Sequence, residues 1–351
     1  MNYREFVNQV SEDLKEVLPE KLQSATITPH QADKLQGASY YGISIQSQGS
    51  PVGISMDLSS PFKQMENGKS YPAVLAEIAA SVLAALVNRP KFKIAEFLDY
   101  EAMKNKLMIQ VVPAAGNERM LATVPHMDQE DISLVYRFVF QTDEQGSVSS
   151  LITNSMLESY GVSAGQLHMD ALENAPGQFP ASVRSLQEVL AEQMGLDLEA
   201  MPQNPGGMYV ATCNNGINGA GCIFYPEFMD QAADKLGGSF FVLPSSVHEV
   251  ILLLDTGDMA YRDLESIVRE INTSMLKPED RLSDSVYHYD AEARIFEKAA
   301  AHNMRLKASM AEQEYSHEKK SIAERLAEKK NESYALAGET PFPVKTAVNS
   351  L

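Results

Sequence analysis

The sequence predicts an α+β fold, with mixed, largely antiparallel sheets, packed helices and a helical C-terminal tail. Three observations carry that expectation. The runs "ASYYGISIQ" and "VGISMDL" alternate apolar and polar residues on either side of "SQGSP", the pattern of a hairpin with one buried face. Farther on, strand-like and helix-like stretches alternate, but hairpins of this kind argue for antiparallel sheets over a Rossmann-type parallel sheet. From Ala291 to Lys330 the chain is rich in Ala, Glu, Lys and Arg, all good helix formers. With 351 residues, 44% of them hydrophobic and 22% charged, the chain can bury a sizeable core.

Each element follows from local pattern. Residues 3–17 place apolar side chains at helical spacing, and a strand follows around Ala25 to Thr28. Ser70 and Pro72 mark the start of an apolar helix running to Asn88, before "RP", because serine caps free amides and proline fits the first turn. "FKIAEFLDYEAMKN" reads as one helix, "KLMIQVVP" as a strand and 132–143 as a long strand. In that strand Ile132, Leu134, Tyr136, Phe138 and Phe140 share a parity, so one face is deeply buried and Arg137 stands on the other. "SMLESYG" and "SAGQLHMDALENA" are short helices, with Gly161 stopping the first.

"MPQNPGG" at 201–207 interrupts helix and strand alike, and is where a body spanning 1–295 would part into two lobes. Beyond it come strand "MYVATC", a turn, strand "CIFYP", helix "EFMDQAADKLGG", strand "SFFVL", a polar insert, strand "EVILLLD" and a helix from Tyr261. Phe240, Phe241, Ile251 and Leu253 belong to adjacent runs too apolar for solvent and are expected in the core. Residues 296–351 form a polar tail, helical to disordered, in which Ser321 and Glu324 have the spacing of a capping box.

Charge narrows the partners. Residues 1–300 hold 21 basic against 40 acidic side chains, while the remainder holds eight against seven. So acidic a body repels phosphate backbones, and its carboxylates are too scattered for DNA mimicry, so no nucleic-acid partner is expected. The N-terminus lacks the continuous apolar stretch of an export signal, and "PAVLAEIAASVLAALV" is short for a membrane span and carries Glu77. No membrane association is expected. Two cysteines, Cys213 and Cys222, flank "NNGINGAG" and are expected to be reduced thiols of a cytoplasmic protein. The 17 methionines are spread through apolar positions as core filler.

Candidate chemistry sits in "GGSFFVLPSSVHEVILLLD". Ser246 and His248, two apart, would share a face of a continuing strand and are the catalytic candidates for a hydrolase. Against them, Pro244 precedes the serines and there is no Gly-flanked nucleophile elbow; a turn over Pro244, Ser245 and Ser246, whose hydroxyls satisfy backbone amides, explains the residues as well. Three His-x-Asp pairs, His126/Asp128, His168/Asp170 and His288/Asp290, are the alternative as a metal site, but their dispersion predicts no metal and no cofactor. "NNGINGAG" lacks a phosphate-loop lysine and reads as a hairpin loop. In the tail, Ile322 and Leu326 lie on one helical face, four apart, as an apolar spot for a partner groove.

"VPHMDQEDISLVY", "GVSAGQLHMDALENAP", "GGSFFVLPSSVHEVILL" and "LSDSVYHYD", in that order, resemble the bacterial domain of unknown function 5688, a family of gut Firmicutes, over residues 3–292. One departure is "DKLQGASYYG" where the resemblance implies a "KNNG"-like turn. The resemblance implies a bacterial cytoplasmic origin and a fold, and it supplies no catalytic residues. The reading is therefore a noncatalytic cytoplasmic binding or adaptor protein with a protein partner; the alternative is a hydrolase using the Ser/His pair or a His/Asp metal site.

Overall fold

The computed structural model describes residues 1–33, 39–46, 53–87, 94–143, 146–200, 207–213, 216–244 and 246–337. The "SQGSP" link, the "RP" helix end, most of the 201–207 break, two asparagines of "NNGINGAG" and Ser245 lie outside them. The chain divides into two units, residues 1–298 and 299–351.

Helix α1 (Tyr3–Val17) opens on a capping box: the Asn2 side chain accepts the Glu5 N–H while the Glu5 carboxylate accepts the Asn2 N–H. Its buried face of Phe6, Val7, Val10 and Leu14 packs on an antiparallel sheet of β1 (Thr26–Asp33), β2 (Ser39–Gln46) and β3 (Ile54–Asp57). With α2 (Ser59–Glu66) and α3 (Tyr71–Val87), these elements build their own core around Phe6, Ile43, Ile45 and Ile78.

The single helix expected over 92–105 is two, α4 (Ile94–Phe97) and α5 (Tyr100–Met103), because the Asp99 carboxylate accepts the Glu101 N–H and starts a new helix. Next come β4 (Leu107–Pro113), α6 (Glu118–Leu121), β5 (His126–Gln129), β6 (Ile132–Asp143) and β7 (Gly146–Leu151), a second antiparallel sheet centred on β6. Helix α7 (Asn154–Tyr160) ends at Gly161, whose φ of 68° only glycine adopts readily, and α8 (Ala164–Gln178) starts at its cap Ser163. β6 has the expected limits, but its Arg137 face is also covered: Val135 packs with Val112, Met120, Leu121 and Val124.

The third sheet is built from β8 (Ser182–Ser185), α9 (Leu186–Met194), β9 (Met208–Thr212), α10 (Phe228–Leu236), β10 (Phe240–Leu243), β11 (Val250–Leu254), α11 (Tyr261–Ser274), β12 (Tyr287–Asp290) and β13 (Ile295–Lys298). Its strand order is β13-β12-β10-β11-β9-β8, antiparallel throughout. The second and third sheets share one core, in which Ile109, Tyr136 and Phe138 meet Phe240, Val242, Leu252 and Tyr287, with Leu167 and Ala171 of α8. The second unit contains α12 (Ala299–Ala337).

Two expectations are corrected here. "CIFYP" is no strand: Gly219–Phe224 is a 3-10 helix, and β9 pairs with β8 and β11 instead of a hairpin partner. The glycines explain the turn. A Cβ on Gly221 would stand 2.2 Å from the Ile109 carbonyl oxygen, and one on Gly219 would stand 2.4 Å from the Cys213 carbonyl oxygen, so the backbone is pressed against its neighbours and winds tightly. Nor does the C-terminal helix begin near Ala291, since the β12–β13 hairpin occupies 287–298; the Ser321/Glu324 pattern falls inside continuous helix, where no free amides need a cap. Of the four core residues expected, Phe240, Phe241 and Leu253 are buried, whereas Ile251 keeps partial exposure.

Phe241→Ala is expected to cost about 3–5 kcal/mol in urea unfolding, and the partly exposed Ile251→Ala less. Gly221→Ala should cost about 1–3 kcal/mol by overpacking against rigid backbone; a wild-type midpoint for that variant would refute the close approach.

Candidate functional site

Polar side chains inside apolar strands mark where this fold does more than build a core. Gln110, in the middle of β4, is fully buried, and Arg137, in the middle of β6, is only partly reached by solvent. Residues paired across antiparallel strands share a face; Gln110 pairs with Val135 and Met108 with Arg137, so both polar side chains rise from one side of the sheet. There Arg137 donates from Nε to Ser149 Oγ at 2.9 Å and from Nη1 to Gln110 Oε1 at 3.1 Å. Burial pushes its guanidinium pKa below the ordinary value. Among the described residues, no carboxylate pairs with it.

The network continues across the β4 edge. Gln110 Nε2 donates to Asn218 Oδ1 at 3.2 Å, and the backbone N–H of Asn218 donates to His248 Nδ1 at 3.1 Å. His248 Nε2 then meets Asp280 Oδ1 at 3.2 Å. Since Nδ1 accepts, the ring proton sits on Nε2 and points at Asp280. Asn218 occupies the left-handed region at φ 54°, which asparagine tolerates better than most residues, directly before the tight Gly219–Phe224 turn.

Ser246 and His248 are thus neighbours with separate tasks. Ser246 Oγ accepts the His248 backbone N–H at 3.0 Å, the geometry of a serine-closed turn, while the His248 ring faces Asn218 and Asp280. Glu249 turns away to a cleft of about 530 Å³ beside β8 and β9, on whose wall Arg184 and Glu192 pair at 2.6 Å. Neither Ser246 nor His248 lines that cleft.

The His-x-Asp pairs fall on β5, α8 and β12. Asp128 accepts Ser133 Oγ; His168 Nδ1 bonds Tyr136 Oη at 2.8 Å while Asp170 accepts Tyr100 Oη at 2.7 Å, which fastens α8 to its surroundings; His288 Nε2 lies 2.9 Å from Asp255, and Asp290 accepts the Ala293 N–H. Burial lowers the pKa of His168. Cys213 and Cys222 are free, buried thiols, and Tyr225 Oη donates to Cys213 Sγ at 3.5 Å. In α12, Ile322 and Leu326 are 51% and 63% exposed.

One site escaped the sequence reading entirely. Asp131, in the two-residue turn between β5 and β6, accepts hydrogen bonds from Ser283 Oγ at 2.7 Å, Ser285 Oγ at 3.0 Å and Tyr287 Oη, with Lys298 Nζ at 3.1 Å. Its donors come from β12, β13 and the segment before β12, so one carboxylate ties the second sheet to the third. The signal was the spacing of Ser283, Ser285 and Tyr287, which presents three hydroxyls on one side of an extended segment. Gln110 was also missed, though a lone glutamine inside "LMIQVVP" was its signal. Arg137 stands out in the sequence as the off-parity residue of β6, and Asn218 lies within "NNGINGAG", whose hairpin-loop reading is corrected by the 3-10 turn that follows it.

The model of a family of unknown function (DUF5688) matches residues 3–291, and the chain belongs to that family. No curated protein and no solved structure matches the chain. Two stretches that carry the family likeness, "VPHMDQEDISLVY" and "LSDSVYHYD", are the ones that meet at Asp131. Among the described residues, no helix is long and apolar enough to cross a membrane.

Asp131 also predicts an acid limb in the stability profile. Burial raises its carboxyl pKa, but hydrogen bonds from Tyr287 and Ser283 and the nearby Lys298 ammonium outweigh it and hold the group below its ordinary 3.8. The folded value lies below the unfolded one, so this contribution is complete above about pH 4 and is lost as pH falls through the folded value. Asp131→Asn is expected to cost about 2 kcal/mol or more near neutral pH and to flatten that acid limb, measured by urea unfolding across a pH series. An unchanged profile would show the carboxylate to be incidental.

Proposed function

We propose that this member of a family of unknown function is a noncatalytic binding or adaptor protein that engages a protein partner through its C-terminal helix. The supporting observation is the commitment of its hydrolase candidates. Ser246 Oγ bonds backbone, and both ring nitrogens of His248 are occupied by Asn218 and Asp280, so among the described residues His248 makes no hydroxyl–imidazole hydrogen bond of the kind that activates a serine. Meanwhile Ile322 and Leu326, one turn apart, stand exposed on α12 as a small apolar patch suited to a groove. The same reading takes the setting to be a bacterial cytoplasm, in which the two thiols stay reduced, and calls for no cofactor. The acidic body disfavours nucleic acid as the partner.

Deleting residues 309–351 is expected to leave the stability of the remaining chain within about 1 kcal/mol, because the described side chains from Leu306 to Tyr315 are exposed. The same deletion should abolish capture of a partner from a native extract, and the double substitution Ile322→Asp with Leu326→Asp should reproduce the loss. A folded truncation that still captures its partner would remove the helix from the function. Hydrolytic turnover lost on His248→Ala would favour the hydrolase instead.

A further inference from the structure

A guanidinium offers five N–H donors, and in Arg137 the surroundings engage two of them, through a neutral hydroxyl and a neutral carboxamide. Nη2 has no partner among the described residues, and the residue is still partly reached by solvent. Farther along the same network, Asn218 spends its Oδ1 on Gln110 and its backbone N–H on His248, which leaves its Nδ2 amide without a partner among the described residues. Gln110 is fully buried with both ends of its carboxamide occupied, so it fixes the distance between these two donor groups. Among the described residues, what remains uncommitted on Arg137 and Asn218 is therefore donor only, with a positive charge and no opposing carboxylate.

We propose that Arg137, with Asn218 beside it, is the binding site for a small oxyanion, a carboxylate or phosphate group carried by a ligand. A planar fork with free N–H groups matches such oxygens two at a time, and a poorly hydrated position strengthens that interaction. The acidic body makes the selection stricter: its field repels anions in general, so only one able to reach the guanidinium directly is retained. Asp280, at the far end of the network, is turned to the His248 ring, and three hydrogen-bonded residues, Gln110, Asn218 and His248, stand between it and Arg137. This inference is independent of the C-terminal helix and of any partner it engages.

The test uses the full chain, titrated separately with sodium phosphate and sodium acetate against sodium chloride at matched ionic strength, and read by calorimetry and by the melting midpoint. A saturable heat and a saturable rise in midpoint with one of the two anions, absent with chloride, is expected, and the anion that works identifies the ligand group. Arg137→Met should abolish both, and Arg137→Lys, a point charge without the fork, should weaken binding by about thirty-fold or more. Asn218→Gly keeps a residue that accepts the left-handed backbone and removes the whole carboxamide, its bond from Gln110 included, while leaving Arg137 in place, so a weaker but saturable response is expected from it; this variant and the wild-type titration decide the matter should Arg137→Met not fold. No saturable response in the wild type, or an undiminished response in Arg137→Met, would overturn the proposal.

Discussion

Two glycines hold the polar network in place. Gly219 and Gly221 let the 3-10 turn press its backbone onto β9 on one side and onto β4 on the other, at distances that no side chain on either residue would permit. Three consequences follow from that contact. Cys222 and Ile223 enter the core between the second and third sheets. The Ala220 N–H reaches the Val247 carbonyl, which fastens the polar insert to the turn. Asn218, immediately before the first glycine, is left standing over the β4 edge, where it bridges the buried Gln110 and the His248 ring. Without the close approach, Arg137 and His248 would belong to separate parts of the molecule.

The two sheets are fastened again at Asp131, by different physics. The glycine contact is steric, backbone against backbone, whereas Asp131 gathers hydroxyl donors and a lysine around a carboxylate, interactions that strengthen as water is excluded. A carboxylate at the tip of a two-residue turn is well suited to this, because the short turn leaves its side chain little freedom of direction. Together the two contacts pin one sheet against the other at separate places, and Gln110, which lies between them in the β4–β6 register, is positioned by the scaffold and not by its own hydrogen bonds alone.

Much of the fold was legible wherever a local rule decides the structure. Helix α1 shows its buried face at helical spacing, α7 and α10 end at Gly161 and Gly237, α8 starts at its cap Ser163, and β6 shows its buried parity directly. Failures came where tertiary contact overrides local pattern. "CIFYP" has strand-like composition, but its neighbours across Gly219 and Gly221 force a turn. β12 and β13 are four residues each, too short for alternation to separate them from the helix-forming composition that follows. The site was legible as residue types and not as an arrangement: the Ser246–His248 spacing was visible, but the backbone amide that occupies Ser246 and the Asn218 amide that occupies His248 are not properties of spacing.

Arg137 shows what this fold tolerates and why. In a body with roughly two acids for every base, a cation placed beneath a sheet face would be expected to find a carboxylate, yet its contacts are Ser149 and Gln110. Removing a guanidinium from water is costly even when neutral groups meet it, and replacing it by an apolar side chain of similar length would by itself be neutral or stabilising. Gln110 compounds the cost, since a fully buried carboxamide would also be cheaper as an aliphatic residue among its neighbours in "LMIQVVP". On the same face Val112, Val135 and Leu121 form a buried apolar cluster. What the pair does supply is a positive group whose Nη2 has no partner among the described residues, joined by one carboxamide to the turn that carries Asn218.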